Sequence, residues 1–251
     1  MIFFSILFIA GIFAGILASV TGMASLVSYP ILLSMGLPPL VANVTNTAAL
    51  IFSGVGSTLS SKKELKNNRS DLYWIIPLAM LGSLLGCFLL LCFPSKIFEK
   101  VSPFMIAFVA LFLILQPSFV KSKDERTSAV PVNKGGLTIL LIFLIGTYSG
   151  YFGAASGVFM ILVFSMTKGI SLVVANAIKN ITMGLTNLTA TLVYIFYGNI
   201  NWKYAIPMGA GFMIGGYIGS IIARHLPKKI LRILISVGAF ILAIYMYHKA
   251  F

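Results

Sequence analysis

The chain carries the stretch Val41-Ala42-Asn43-Val44-Thr45-Asn46-Thr47 and repeats its pattern as Val174-Ala175-Asn176-Ala177-Ile178-Lys179-Asn180, 133 residues further on. In this register Asn46 corresponds to Lys179 and Thr47 to Asn180, so only the second copy carries a charge. Small residues upstream repeat as well, since Gly11, Gly15 and Gly22 recur as Gly146, Gly150 and Gly157. The chain therefore consists of two copies of one pattern, which differ in charge at Lys179.

Composition assigns the chain to a lipid bilayer. Of its 251 residues, 59% are hydrophobic and only 9% are charged. This leaves too little polar surface to cover a soluble globule of that length. A helix crosses a bilayer core of about 30 Å with about 20 apolar residues. Stretches of this kind lie at residues 2–19, 39–60, 72–93, 101–117, 137–153, 170–197, 203–223 and 230–247.

Two further apolar pieces are too short to cross. Residues 23–36 follow the first span and residues 157–167 follow the fifth. At the rise of an α-helix they reach only roughly 17 to 20 Å. We therefore expect an all-α polytopic membrane protein with about eight spanning helices and two half-helices or re-entrant segments. Because no basic residues precede the first span, we expect it to be a retained helix rather than a signal peptide.

Basic clusters indicate how the two copies are oriented. Lys and Arg crowd residues 62–69, 121–134 and 224–232, and Lys168 follows the second short piece. Cytoplasmic connections of membrane proteins collect such residues. If each short piece returns the chain to the side where its preceding helix began, all these positions are cytoplasmic. If the short pieces only extend loops, residues 224–232 and Lys168 lie outside.

The charge distribution therefore favours two inverted repeats in the cell membrane. The first repeat is predicted at residues 1–117 and the second at 137–251, joined by a basic cytoplasmic linker at 118–136. The net charge of +13 comes mostly from lysines and arginines in these connections between spans. We therefore expect the lipid bilayer rather than nucleic acid as a partner. The sequence does not indicate an oligomeric state.

Acidic residues are few and lie outside the apolar spans. All five fall in loops or at their edges: Glu64, Asp71, Glu99, Asp124 and Glu125. We therefore expect no buried carboxylate, although carboxylates are the usual intramembrane proton carriers and cation ligands. A proton antiporter built on Asp or Glu, a divalent-metal transporter and a membrane hydrolase lack the residues they need. The sequence predicts no metal, no cofactor and no catalytic group.

Lys179 is the charge inside the spans that needs an explanation. It lies about 13 Å into its helix, close to the bilayer midplane, where a lysine costs a few kcal/mol or more unless it is paired or hydrated. It shares a helix face with Asn176 and Asn180. One interpretation is that Lys179 binds an anion. The alternative is that it extends to the headgroups or donates to backbone carbonyls at a broken segment.

The short pieces complete a candidate site. A half-helix that begins near Gly22 or Gly157 directs unpaired N–H groups and its positive dipole end into the membrane interior, and such ends bind anions. The amides and hydroxyls nearby either orient a substrate or join helices across an interface. The predicted substrate-binding residues are Lys179, Asn43, Asn46, Thr47, Asn176, Asn180, Thr182, Asn187, Gly22, Gly157, Ser25 and Ser156.

The arrangement resembles that of a known family. A glycine-rich pair with a short segment, Pro30-Ile31-Leu32, Met35-Gly36-Leu37 and then Val-Ala-Asn leading into a Thr/Asn-rich helix are similar to the TauE/SafE permeases, the sulfite exporter and toluene-sulfonate uptake group. The resemblance covers nearly the whole chain and implies transport of sulfite, thiosulfate, sulfonates or related organic anions. Met23-Ala24-Ser25 and Ala154-Ala155-Ser156 depart from the glycine-rich pattern of that family.

Together these features predict a permease that moves a small anion by alternating access between the repeats. Lys179 would neutralise substrate charge, and neutral donors would orient the substrate. Two other classes fit the same residues: a passive anion channel or sensor that uses the positive site for selectivity, and a membrane scaffold whose amides only join helices. Direction of transport and coupling ion are not encoded in any recognisable motif.

Overall fold

The computed structural model describes residues 2–66, 68–115, 132, 134–165, 171–223, 244 and 247. Within these residues the regular structure is helical, and no strand is present. The ten helices are α1 (Ile2–Thr21), α2 (Ser25–Ser34), α3 (Pro39–Ser60), α4 (Lys62–Lys66), α5 (Arg69–Cys92), α6 (Ser95–Leu115), α7 (Gly136–Tyr151), α8 (Ser156–Ser165), α9 (Leu172–Tyr197) and α10 (Trp202–Ile222).

The helices agree with the predicted all-α architecture. Seven predicted spans correspond to α1, α3, α5, α6, α7, α9 and α10. By length and composition, four stretches are sufficient to cross a membrane: Phe3–Thr21, Pro39–Ser60, Arg69–Cys92 and Trp202–Ile222. The predicted span at 230–247 lies outside the described residues except at 244 and 247. The basic cluster at 224–232, Lys168 and most of the predicted linker at 118–136 also lie outside them.

The two short pieces form helices of 10 residues each, α2 and α8, as predicted. Left-handed backbone produces the breaks that precede them: Gly22 has φ of 79°, and Gly153 has φ of 75°. The Gly22 N–H donates to Ala18 O at 2.9 Å, which is how glycine ends a helix. Ala155 also has a positive φ, 57°, which costs about 1 kcal/mol for a residue with a Cβ.

The outer helices pack in two exchanged pairs, because α1 lies along α10 and α7 lies along α5. A Cβ atom on Gly82 of α5 would collide with Phe143 O of α7, and one on Gly211 of α10 would collide with Phe8 O of α1. The contacts recur one turn further on, since Gly86 lies against Thr147 O and Gly215 against Ile12 O. Residues 8 and 12 correspond to residues 143 and 147 in the repeat. Small residues permit this close approach of backbones. The first helix of each copy thus packs against a later helix of the other copy.

The helices that carry the repeated Val-Ala-Asn motif, α3 and α9, cross each other between these pairs. Gly54 of α3 lies directly against Gly184 of α9, and a Cβ on either glycine would collide with the backbone of the other. α10 packs on α3, and α5 packs on α9. The motif helices are therefore enclosed by the exchanged pairs.

Asp71 corrects one expectation from the sequence. It lies in the first turn of α5, which begins at Arg69 rather than at residue 72, and its side chain is only 1% exposed. Its Oδ2 accepts a hydrogen bond of 3.1 Å from the Val132 N–H. The prediction that no carboxylate is buried is therefore wrong for Asp71, because the chain before the second copy folds back over this helix end.

Candidate functional site

A cavity of about 50 Å³ lies between α3 and α9, next to the two helix breaks. This volume is enough for a few water molecules or one small polyatomic ion. Each long wall comes from one helix face. The wall residues are Thr47, Leu50, Ser53, Gly54 and Ser57 on α3, and Lys179, Asn180, Met183, Gly184 and Asn187 on α9.

The two breaks meet at one end of the walls. Gly22 lies against Gly157, since a Cβ on Gly22 would lie only 2.6 Å from Gly157 Cα. α2 and α8 both begin here, and Ser25 and Ser156 at their first positions line the cavity. The N-terminal ends of both half-helices, which carry partial positive charge, therefore adjoin the same space, as the sequence predicted for the two breaks.

Lys179 lines the cavity, although its side chain is only 1% exposed. Its ammonium Nζ donates to Ala18 O at 2.9 Å and to Ser19 O at 3.2 Å, in the last turns of α1. The stem of the side chain runs over Gly157, where a Cβ would lie 3.1 Å from Lys179 Cδ. The sequence left several interpretations of Lys179 open. The structure shows that its ammonium donates to backbone carbonyls at a broken segment and that the residue also borders the cavity.

The amides of α3 join helices rather than line the cavity. Asn46 Nδ2 donates to Ser25 Oγ at 3.1 Å, and Asn46 Oδ1 accepts from Ser28 Oγ at 2.6 Å, so one amide ties α3 to the half-helix α2. Asn43 Nδ2 donates to Tyr151 O at 3.0 Å, at the end of α7. Both side chains make the interhelical bonds that the sequence allowed as an alternative to substrate contact.

The polar residues of α9 divide into two groups. Asn180 and the half-buried Asn187 line the cavity, and Asn180 Nδ2 also reaches Ser220 Oγ at 3.4 Å. Thr182 and Asn176 do not line it. The Thr182 hydroxyl donates to Ile178 O at 2.8 Å, and Asn176 Oδ1 is buried without a hydrogen-bond partner in the described structure.

Of the twelve predicted residues, eight line the cavity. They are Lys179, Thr47, Asn180, Asn187, Gly22, Gly157, Ser25 and Ser156. The sequence analysis did not assign Ser53 and Ser57, which continue the α3 wall from Thr47 towards the helix end. Ser57 follows Thr47 by ten residues, a spacing that keeps both on one side of a helix, which was a usable signal for this residue.

Phe152 lines the cavity beside the second break. Its ring packs edge-on against Tyr29 of α2 with centroids 5.5 Å apart, and against Phe98 of α6 at 5.7 Å. Tyr29 and Phe98 are fully buried. These three residues form the aromatic cluster. Phe152 follows Tyr151, whose carbonyl accepts from Asn43 near the beginning of α3, whereas Ser57 lies near the end of α3. The aromatic cluster therefore forms an apolar layer at the end of the polar space away from Ser57.

The chemistry of the lining suits binding rather than bond breaking. Lys179 is the charged side chain among the lining residues, which otherwise carry hydroxyls, amides, a thioether and apolar groups. No acid in the lining could pair with it, and no lining residue forms a nucleophile with a general base. Within the described residues no group of three His, Cys, Asp or Glu side chains could hold a metal ion.

Comparison with known proteins places the chain among membrane transporters. The family model of the sulfite exporter TauE/SafE matches residues 7–246. "Probable membrane transporter protein ORF9" of Sinorhizobium sp is 29% identical over 238 residues, covering 95% of this chain and 90% of that protein. A "Probable membrane transporter protein" of Haemophilus influenzae is 27% identical over 244 residues, covering 97% and 94%. No solved structure has significant similarity to the chain.

Proposed function

The chain belongs to the sulfite exporter TauE/SafE family, and from that premise we propose that it is a secondary transporter of a small anion such as sulfite, thiosulfate or a small sulfonate. Substrate would move by alternating access between two inverted repeats with about eight spans in the cell membrane. The observation that carries this proposal is the cavity in which Lys179 meets the N-terminal ends of α2 and α8.

Charge is the first argument for an anion. A buried ammonium without a carboxylate in the lining creates a positive potential, which low-dielectric surroundings strengthen. The carbonyls of Ala18 and Ser19 offset part of that charge, but as neutral dipoles they do not cancel it. Ser25, Ser156 and Asn180 add neutral donors at the same cavity. An oxyanion with several acceptor atoms matches this set.

The size of the cavity and the strength of anion binding that its residues allow are the second argument. A cavity of about 50 Å³ suits an inorganic sulfur oxyanion or a sulfonate with a small substituent better than an aromatic sulfonate. No arginine lines the space, so the bidentate grip that holds oxyanions tightly is absent. Modest affinity suits a protein that must release its substrate on the other side.

The exchanged packing supports inverted repeats. The contact of Gly82 with Phe143 is repeated by the contact of Gly211 with Phe8, as expected for two copies related by a pseudo-two-fold axis. Transporters with such an axis in the membrane plane bind substrate near the midplane where broken helices meet. With the basic loops at 62–69, 121–134 and 224–232 in the cytoplasm, the Ser57 end of the cavity faces inward and the aromatic cluster faces outward.

Flux measurements in proteoliposomes test the proposal. Uptake of labelled sulfite, thiosulfate and methanesulfonate should saturate and show counterflow. Lys179→Met should raise the apparent KM by about ten-fold or more, because a charge-assisted hydrogen bond contributes about 1.5–3 kcal/mol. Lys179→Arg keeps the charge and should retain part of the uptake. Lys203→Met, which removes a solvent-exposed lysine over the Phe3 ring, is the matched control and should behave like the wild type.

Three results would contradict the proposal in different ways. Conduction without saturation or counterflow would indicate a channel. Absence of flux for all three anions would indicate a sensor or scaffold. Unimpaired uptake in Lys179→Met would remove this residue from the mechanism.

A further inference from the structure

We propose that the Lys179 ammonium is a tethered substitute for a coupling sodium ion. It occupies a carbonyl site at the broken end of α1, so the transport cycle needs no Na⁺. The inference rests on the proposed function, because it names the ion requirement of the same site. It follows from the position of the ammonium, not from the charge of the substrate.

The carbonyls that Lys179 contacts are of the kind that bind cations in transporters. The C-terminal end of a helix carries partial negative charge. Ala18 O accepts a hydrogen bond from the Gly22 N–H, and its second lone pair remains available to a cation. In sodium-coupled transporters, unwound carbonyls and half-helix C-terminal ends coordinate the driving ion. Here Lys179 Nζ lies 2.9 Å from Ala18 O and 3.2 Å from Ser19 O, close to the end of α1 at Thr21.

The path of the Lys179 side chain brings its ammonium to the carbonyls at the end of α1. The Lys179 stem passes over Gly157, which has no side chain that would displace Lys179 Cδ. The Lys179 side chain is buried, and no carboxylate lines the adjoining cavity. A desolvated ammonium is tolerated only where oxygen atoms replace its water, and the α1 carbonyls supply them. A second cation at the same carbonyls would meet the ammonium at contact distance.

The corresponding break in the second copy has a different arrangement. Neutral donors occupy carbonyls around it: Tyr148 OH donates to Ala154 O at 2.8 Å, and Asn43 Nδ2 donates to Tyr151 O at 3.0 Å. The residue equivalent to Lys179 is Asn46, which bonds to α2 instead. Only one of the two described breaks therefore holds a cation, and the chain itself provides it.

Thermal unfolding of the purified full-length chain in detergent tests this directly. Lys179→Ala deletes Cγ, Cδ, Cε and Nζ, the atoms of n-propylammonium, and leaves the carbonyls facing an empty site. We expect its Tm to fall below that of the wild type and to rise by about 3 °C or more with n-propylammonium about ten-fold above its Kd. Na⁺ should produce a smaller rise, and choline, which is too bulky, should produce none at equal ionic strength.

Asn46→Ala is the matched control. It occupies the equivalent position in the first copy and loses buried hydrogen bonds, so its Tm should also fall. Its Tm should be the same in all three salts, because it opens no carbonyl site for a cation. The wild type should likewise have one Tm in Na⁺ and choline, and its thiosulfate uptake should be equal in the two salts.

Two outcomes would overturn the inference. One is a Lys179→Ala protein that elutes as a folded monodisperse species and responds to neither n-propylammonium nor Na⁺. The other is a wild-type chain whose Tm or uptake rises specifically with Na⁺, a comparison that decides the question even if Lys179→Ala does not fold. Absence of anion uptake in the wild type would contradict the proposed function but leave the thermal comparison valid, so the two failures are distinguishable.

Discussion

Gly22 and Gly157 touch through their main chains, because a Cβ atom on Gly22 would lie 2.6 Å from Gly157 Cα and one on Gly157 would lie 2.7 Å from Gly22 Cα. This contact holds the beginnings of the half-helices α2 and α8 at one point. It also sets the path of Lys179, whose stem lies against Gly157. The separation of the two helix ends, and hence the width of the cavity, depends on the absence of side chains at these two positions.

Gly22→Ala should unfold or inactivate the protein. The new Cβ would meet the Gly157 backbone, and the residue would have to keep a φ of 79°. Overpacking costs about 1–3 kcal/mol, and left-handed backbone adds about 1–2 kcal/mol. Thermal unfolding in detergent and thiosulfate uptake should both show the loss.

Gly36→Ala separates the cost of left-handed backbone from the cost of overpacking. Gly36 has a φ of 89°, but a Cβ built on it meets nothing within 4 Å. This variant should therefore lose only about 1–2 kcal/mol, the cost of left-handed backbone, and should retain uptake. Equal damage in Gly22→Ala and Gly36→Ala would show that contact between the breaks is unimportant.

Asn46→Ala should lower the stability of the protein, whereas Asn187→Ala should weaken binding of the anion. Asn46 bridges Ser25 and Ser28, so its removal should cost about 1–3 kcal/mol of stability through unsatisfied buried hydroxyls. Asn187 is half-buried and lines the cavity, so its removal should raise the apparent KM for the anion several-fold while Tm changes little. Uptake kinetics and thermal unfolding, measured on both variants, check this. The reverse pattern would assign substrate contact to Asn46.

Asp71→Ala should loosen the segment before the second copy. Without the carboxylate, the Val132 N–H loses its acceptor at 3.1 Å, and a buried unsatisfied donor costs about 1–3 kcal/mol. Limited trypsin digestion at Lys134, whose ammonium lies 6.0 Å from the centre of the Trp74 ring, should become faster. Asp71→Asn keeps a carbonyl oxygen as acceptor and should be cleaved at nearly the wild-type rate, so rapid cleavage of both variants would refute the role of this hydrogen bond.

Phe152→Ala should widen the end of the cavity that the aromatic cluster lines. Deleting this ring removes the edge-on contacts with Tyr29 and Phe98 and costs about 3–5 kcal/mol if the space stays empty. Anion efflux should lose its dependence on a counter-substrate, as expected for a leak. Phe108→Ala on α6 is the control, because this ring is 62% exposed and should tolerate truncation without a leak.

The sequence predicted the helices well because their signals are local. Hydropathy and length located the long helices, and the small residues around Gly22 and Gly157 marked the regions where α1 and α7 end, although the left-handed glycine of the second break is Gly153. Helical spacing placed Thr47 and Asn180 on faces that line the cavity. It could not distinguish them from Asn43 and Asn46, because an amide directed at a neighbouring helix and one directed at a cavity have the same periodicity.

By itself, the sequence determined that this chain belongs in a bilayer, that its pattern is stated twice, and that Lys179 is the unmatched charge. Tertiary structure alone decided what Lys179 meets, because the Ala18 and Ser19 carbonyls lie about 160 residues away along the chain and approach only through the packing around α9. It also decided that Asp71 is buried and that Ser57 joins the cavity. Propensity and hydropathy act between neighbours in sequence, whereas the partner of a buried polar group depends on which helices pack together.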